Sequence, residues 1–226
     1  MKLHRYLLVM ALASVSAMAD EETLLGAGQR GRPKYDGSDR QTAEVVPIIR
    51  YYGGPLFVRT THGMFEGGAR LTIARGLAAG LQMGHEQGPR DEDPGSSIGA
   101  HVESTTKLGP APLNVLARLR SHSDSERGRL FDTRLTMGVY GGGGLKVGVF
   151  GQATWANEKH MLAYYDVPQS GLLYTAIGTL GAYQLSSRWQ VVASAELRRL
   201  TDKLADSPFV QDRSNGYVSA GAAYRF

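Results

Sequence analysis

Residues 216–226 read Gly-Tyr-Val-Ser-Ala-Gly-Ala-Ala-Tyr-Arg-Phe, and the sequence ends on the phenylalanine ring. Successive side chains of a β-strand point to opposite faces, so one face of this segment is apolar and the other is small or polar. The apolar face comprises Val218, Ala220, Ala222, Tyr224 and Phe226. A transmembrane barrel pairs its last strand with its first and places aromatic side chains where lipid meets water. We interpret the segment as a barrel-closing C-terminal strand, with an edge strand of a soluble sheet as the alternative.

The start of the sequence has the pattern of a secretory signal. Lys2 and Arg5 give a basic start, residues 6–15 are mostly apolar, and residues 16–19 supply the small side chains of a cleavage site. The apolar stretch is too short for a spanning helix, which disfavours a membrane anchor. We therefore predict a signal peptide over residues 1–19 and an outer-membrane β-barrel domain of a Gram-negative bacterium over residues 20–226.

Composition narrows the class of protein. The chain has no cysteine, so an exported domain of this size has to be stable without disulfides. No later stretch approaches the run of about twenty apolar residues that a transmembrane helix needs. The net charge is +4, and the basic residues are interspersed with acidic ones rather than gathered in a stripe. We therefore do not expect nucleic acid as a partner.

Alternating segments separated by turn residues predict an all-β, antiparallel transmembrane barrel of about twelve strands. Links after the even-numbered strands are tight and links after most odd-numbered strands are longer, a pattern that a β-sandwich does not predict. Outer-membrane barrels have short turns in the periplasm, so both termini are expected there. The predicted strands are 23–30, 45–52, 55–61, 64–74, 77–86, 97–107, 112–122, 128–139, 144–155, 172–184, 188–200 and 215–226.

Charged side chains recur in the middle of these strands, on the face opposite the apolar one. Such charges are costly in lipid or in a dry core unless they are paired, whereas a wet lumen can hold them. We expect their ion pairs to leave a narrow or occluded channel. The facing of strand 172–184 stays open, because both of its faces are apolar. The candidate lumen charges are Glu66, Arg70, Glu103, Arg118, Arg120, Glu196 and Arg198.

One loop motif carries a family resemblance. It reads P-x-Y-x-G-S-D, and Asp206-Ser207-Pro208 later precedes the terminal Tyr-Arg-Phe. Together with the signal peptide, these features resemble the MipA/OmpV family of outer-membrane proteins over residues 24–226. Taken one by one, the motif residues also suit an ordinary turn-forming loop. The motif residues are Pro33, Tyr35, Gly37, Ser38 and Asp39.

The resemblance implies a non-enzymatic scaffold in peptidoglycan remodelling, with a lytic murein transglycosylase and a penicillin-binding protein as partners. Two alternatives are a narrow porin-like channel for small polar solutes and a surface adhesin. An adhesin would act through loops 31–44, 156–171 and 201–214. Further expected partners are outer-membrane lipid, lipopolysaccharide and, during insertion, the barrel-assembly machinery.

The sequence offers no sign of catalytic chemistry, and we expect neither a cofactor nor a metal. It lacks the G-x-S-x-G and S-x-x-K nucleophile motifs. Ser121, His122 and Asp124 cannot form a triad with one another, because adjacent residues of a strand point to opposite faces. Histidines 62, 85, 101, 122 and 160 lack ligand spacing, so isolated surface or lumen histidines are favoured over a metal site. A lumenal or surface enzyme is the least favoured alternative.

Overall fold

The structure is a computed structural model that describes residues 23–61, 64–86 and 95–226. These residues form twelve antiparallel strands closed into a barrel, which confirms the predicted fold class. The predicted signal peptide lies outside the described residues. The strands are β1 (Leu24–Pro33), β2 (Gln41–Gly53), β3 (Leu56–Thr61), β4 (Met64–Ala74), β5 (Leu77–Glu86), β6 (Gly95–Leu108), β7 (Ala111–His122), β8 (Arg129–Gly142), β9 (Leu145–Ala156), β10 (Gly171–Gln184), β11 (Trp189–Leu200) and β12 (Ser214–Arg225).

Each strand pairs with its neighbours in the chain, and the last strand pairs with the first. The closing seam runs from Leu24 opposite Arg225 to Gly31 opposite Val218. Closure matters because a sheet edge exposed to lipid would leave backbone N–H and C=O groups without hydrogen-bond partners.

Side chains alternate between an apolar outer face and a polar lumen. Val45, Leu71 and Leu81 lie on the outer face with 75%, 69% and 70% of their surface exposed, whereas Glu66 and Asp132 are buried inside. This is the reverse of a soluble domain and matches a barrel whose outer face meets lipid. No α-helix in the described part of the chain is long and apolar enough to cross a membrane.

The structure shows which side chains of strand 172–184 face the lumen, a question that the sequence did not resolve. In β10, Ile177 points outward, while Tyr174 and Ala176 point into the lumen and are buried. The register with β9 shifts between Leu172 and Tyr174, so one extra residue is accommodated at that end of the strand. A bulge of this kind reverses which parity faces the core, and no apolar pattern on its own reveals it.

The two ends of the barrel differ. At the first end, which we call the turn end, the links are 54–55, 75–76, 109–110, 143–144 and 185–188. At the opposite end, which we call the loop end, the described links are longer: 34–40, 123–128, 157–170 and 201–213. The predicted alternation of link lengths is thus confirmed at these positions.

The loop end contains a helix that the sequence analysis treated as loop. Helix α1 (Glu158–Tyr165) begins after Asn157, whose side chain accepts a hydrogen bond from the His160 backbone N–H at 3.2 Å. It ends at Asp166, which has a left-handed conformation with φ 58°. Asn is among the strongest helix N-caps, so this short helix had a local signal.

Helix α1 packs into a small apolar cluster at the loop end. Met161 and Tyr165 are buried against Leu200 and Leu204, which belong to β11 and the link that follows it. The hydroxyl of Ser207 donates to the backbone carbonyl of Tyr165, which ties the two links together. The loop end is therefore covered by packed structure.

The close packing of the seam predicts that substituting two glycines of β12 will have very different effects on the free energy of unfolding. A Cβ on Gly221 would lie 2.5 Å from the Ala27 carbonyl oxygen and 2.6 Å from Gly28 Cα. A Cβ on Gly216 would have no atom within 4 Å. Gly221→Ala should lower the free energy of unfolding by about 1–3 kcal/mol, the usual cost of overpacking. Urea unfolding of the vesicle-inserted barrel, followed by tryptophan fluorescence, measures this.

Gly216→Ala is the matched control and should be neutral or stabilising by about 0.4–1 kcal/mol, because alanine restricts the unfolded chain. Equal unfolding midpoints for the two variants would contradict the tight seam.

Candidate functional site

A layer of buried ion pairs lies in the half of the lumen nearer the loop end. Arg118 of β7 links two carboxylates: its Nη1 donates to Glu66 Oε2 at 2.9 Å and its Nε donates to Asp132 Oδ2 at 3.0 Å. Arg120 donates from Nε to the same Asp132 oxygen at 2.9 Å. The three strands β4, β7 and β8 are thereby joined across the interior.

Both carboxylates have further donors. Glu66 also accepts from Arg59 and, at 3.0 Å, from Gln82 Nε2. Asp132 accepts from the Thr154 hydroxyl at 2.9 Å. Because each carboxylate is surrounded by charged and neutral donors, the cost of burying its charge is offset within the layer.

A second cluster, centred on Arg198, lies on the opposite wall. Arg198 donates to Glu196 Oε1 from Nε at 3.1 Å and from Nη2 at 2.9 Å. Its guanidinium also lies over the rings of Tyr174 and Tyr217, 4.2 and 4.5 Å from the ring centres. The remaining partner is Asp36, which accepts hydrogen bonds from Arg198 and from the Tyr217 hydroxyl.

Asp36 reaches this cluster because its loop folds into the barrel mouth. Gly37 donates from its backbone N–H to Asn215 Oδ1 at 2.7 Å, and Asn215 Nδ2 donates to the Ser38 carbonyl at 3.2 Å. The Gly37 carbonyl accepts from the backbone N–H of Gln211 at 2.7 Å. The φ of Gly37 is 102°, a conformation that favours glycine.

The loop motif therefore has a structural role in holding Asp36 inside. Pro33 ends β1, Gly37 and Ser38 bind Asn215, and Ser38 Oγ accepts from the Arg40 backbone N–H at 3.1 Å. The backbone N–H of Asp39 faces Gln211 Oε1 at 3.5 Å, and Tyr35 lines the lumen cavity beneath the loop. Asp36 itself occupies one of the unspecified positions of the motif.

The structure places the seven candidate lumen charges in three settings. Glu66, Arg118 and Arg120 belong to the ion-pair layer, and Glu103 adjoins it 3.7 Å from Arg59. Glu196 and Arg198 form the second cluster. Arg70 lies apart from both, with its guanidinium 4.2 Å from the centre of the Tyr52 ring.

Sequence reasoning missed several members of these clusters. Asp132 and Arg59 lie on the lumen face of strands that were predicted correctly, so alternation could have identified them. Asp36 had no such signal, because its inward position depends on Asn215, which lies 178 residues from Gly37 in the chain.

The C-terminal residues lie on the outer face. Val218, Ala220 and Ala222 are exposed there. Tyr224 packs edge-on against Trp189 and against Phe226, with ring centres 5.4 and 5.0 Å apart. This aromatic group sits at the turn end, where a lipid–water interface favours such rings.

Two histidines lie together, contrary to the expectation that the histidines are isolated. The rings of His122 and His160 stack with centres 5.6 Å apart, and Tyr164 packs on His160 at 4.5 Å. Among the residues that the structure describes, no group of three or more His, Asp or Glu side chains could hold a metal ion. His62 lies outside the described residues.

Two adjoining cavities occupy the lumen. A cavity of about 150 Å³ lies toward the loop end, beneath the motif loop and α1. A cavity of about 440 Å³, which we call the vestibule, lies toward the turn end. Six residues line both cavities, so the cavities meet at these side chains: Arg30, Thr61, Leu116, Arg134, Glu196 and Tyr217.

Comparison with known folds finds outer-membrane barrels. An outer-membrane channel from Pseudomonas putida F1 shares 9% identity at a TM-score of 0.57, over 92% of this chain and 96% of that one. The NanC porin shares 9% identity at a TM-score of 0.56, over 90% of this chain and 100% of that one. A bacterial polysaccharide outer-membrane secretin shares 12% identity at a TM-score of 0.50, over 91% and 98%. At these identities the likeness shows the fold alone.

Comparison by sequence gives one family. Residues 25–226 match the profile described as MltA-interacting protein MipA, which covers nearly all of the chain. No curated protein sequence matches the chain.

The ion-pair layer predicts a large cost for removing Asp132. Asp132→Ala would leave Arg118 and Arg120 close together without their shared acceptor, so the free energy of unfolding should fall by about 3–5 kcal/mol. Asp206→Ala, an exposed acid in the link after β11, is the control and should change it by less than about 0.5 kcal/mol. Urea unfolding measures both, and similar midpoints would show that the layer is not a source of stability.

Helix α1 should open more readily in acid. Burial, followed by the neighbouring His122, lowers the pKa of His160 from its ordinary 6.5 to about 3; Arg120 also lowers it, while Asp132 and the Arg127 carbonyl oppose this. Between these values the opened helix binds a proton that the packed helix does not, so its stability falls as pH falls from 6.5. Hydrogen exchange of α1 amides, corrected for intrinsic rate, should be faster at pH 5 than at pH 7.

His160→Gln removes the titrating group and should abolish this pH dependence, whereas His85→Gln, at an exposed site on β5, should preserve it. A pH dependence that survives in His160→Gln would show that another group is responsible.

Proposed function

The chain belongs to the MltA-interacting protein family, and on that premise we propose that it is a non-enzymatic scaffold of the outer membrane. Its partners would be a lytic murein transglycosylase and a penicillin-binding protein, so that wall cutting and wall synthesis stay coupled. Family membership is the observation that carries this proposal.

The lumen supports a scaffold better than a general diffusion pore. The ion-pair layer joins β3, β4, β7 and β8 across the interior, and Asp36 adds a second obstruction from the motif loop. A solute would have to displace paired charges that are buried from water, which costs several kcal/mol for each ion left without its partner.

The turn end is the surface that we propose for the partners. With both termini at this end, an orientation that places them in the periplasm also exposes the short turns to murein enzymes. Links of two residues offer little area beside an ordinary interface of about 800 Å² per partner. We therefore infer a transient contact that involves the rim of the barrel and the mouth of the vestibule.

A narrow channel is the second candidate. The observation that favours it is the pair of cavities, which meet at side chains that include Arg134 and Glu196. Movement of these side chains would widen the junction into a path along the barrel axis. The measurement that separates the candidates is planar-bilayer conductance, since a scaffold whose lumen stays blocked by its ion pairs should show no steady current.

The scaffold proposal predicts contacts at one end of the barrel. A photo-crosslinking amino acid at Arg75 or Pro110, both exposed in turn-end links, should capture a lytic murein transglycosylase in intact envelopes. The same amino acid at Glu158 or Lys159, exposed on α1, serves as the control and should capture none. Mass spectrometry of the adducts identifies the partner.

Murein-enzyme adducts at neither turn-end position, with the barrel correctly inserted, would overturn the scaffold proposal. Adducts only at the α1 positions would overturn the proposed orientation.

A further inference from the structure

The vestibule has the dimensions of a ligand site. Its volume of about 440 Å³ lies within the range of about 300–1,000 Å³ that is usual for small-molecule pockets. The links around its mouth have two residues except for 185–188, so they are too short to fold across it. Its inner end reaches Arg134 and Glu196, which also line the loop-end cavity. The vestibule is therefore a concave pocket that opens at one end of the barrel.

Basic side chains dominate the charged groups of its wall. Five arginine or lysine side chains face two carboxylates there, and both carboxylates are already bound. Glu103 accepts from Asn114 Nδ2 at 2.8 Å and Glu196 accepts from Arg198. Three of the basic groups are also in ion pairs: Arg30 with Glu44, Arg59 with Glu66 and Glu103, and Arg134 with Glu196. The basic lining residues are Arg30, Arg50, Arg59, Arg134 and Lys146.

Two polar groups of the wall have no partner among the described residues. Lys146, half-buried on the lumen face of β9, forms no ion pair or hydrogen bond there. Gln190 is 93% buried on β11, and its Nε2 donates no hydrogen bond. A buried donor without an acceptor is costly, so an incoming acceptor at this position would be favoured.

The rest of the wall is largely apolar. Ile48, Leu116, Leu180 and Val192 contribute to it from the lumen faces of β2, β7, β10 and β11. Inorganic anions gain nothing from such surface, whereas an organic anion buries carbon against it while its carboxylates meet the cations.

We propose that the vestibule binds a small organic polycarboxylate. Lys146 pairs with one carboxylate, and the Gln190 amide donates to the ligand from the neighbouring wall. The positive charge of Arg50 on β2 adds to the field that attracts the remaining negative charge. This site needs no protein partner, so it stands independently of the scaffold proposal.

The test uses the purified full-length barrel in a zwitterionic detergent and isothermal titration calorimetry. The probe is trimesate, a benzene ring that carries carboxylates, and its comparison compound is the uncharged benzenetrimethanol. Trimesate should bind, more weakly as ionic strength rises because salt screens the charges, and benzenetrimethanol should not. Pyrophosphate, an anion without carbon, should bind more weakly than trimesate.

Lys146→Gln should weaken trimesate binding about tenfold, the effect of losing one charged contact. Lys107→Gln is the matched control, because Lys107 lies near the same end of the barrel but does not line the vestibule. The Lys107→Gln variant should bind trimesate as tightly as the unaltered protein does. The salt dependence of trimesate binding to the unaltered protein is a further test that needs no variant.

Three outcomes would overturn the proposal. They are no heat of trimesate binding, equal weakening by Lys146→Gln and Lys107→Gln, and pyrophosphate binding as tightly as trimesate. None of these outcomes bears on the capture of a transglycosylase at the turn end, so failure of the binding site and failure of the scaffold are distinguishable.

Discussion

The pairing of the first strand with the last is the constraint on which the rest of this structure depends. In a bilayer, the backbone polar groups of a sheet have to bond to each other, and only closure removes the edges. The seam between Leu24–Gly31 and Val218–Arg225 completes that closure. Once the sheet is closed, strand alternation becomes a division between lipid and lumen. Charged residues in mid-strand are then forced into one shared interior.

The cost of burying these charges is offset because each charged group has more than one partner. Asp132 pairs with two arginines and Arg118 pairs with two carboxylates. Arg198 contacts both carboxylates and aromatic rings. Such networks are favourable only when every member is satisfied. Because these charges are paired, the lumen is a poor route for solutes, and the candidate functional surfaces lie at the two ends of the barrel.

The two ends are built differently. The loop end is covered by α1, the motif loop and the apolar cluster around Met161 and Leu204. The turn end keeps an open vestibule, because its links are too short to fold across it. A covered end and an open end suit a protein whose interactions occur on one side of the membrane.

The sequence by itself determined the strands, their approximate ends, the inward charges and the asymmetry of the links. These features are local: alternation has a period of two residues, and turns are specified by adjacent Gly, Pro and Ser residues. The N-cap of α1 at Asn157 was equally local and was overlooked. Only the tertiary structure decided the facing of β10, the inward position of Asp36 and the partner of each buried charge. Glu66 meets Arg118 across 52 residues of chain, and Gly37 meets Asn215 across 178. Such partners are set by the circumference of the closed barrel, which sequence periodicity does not encode.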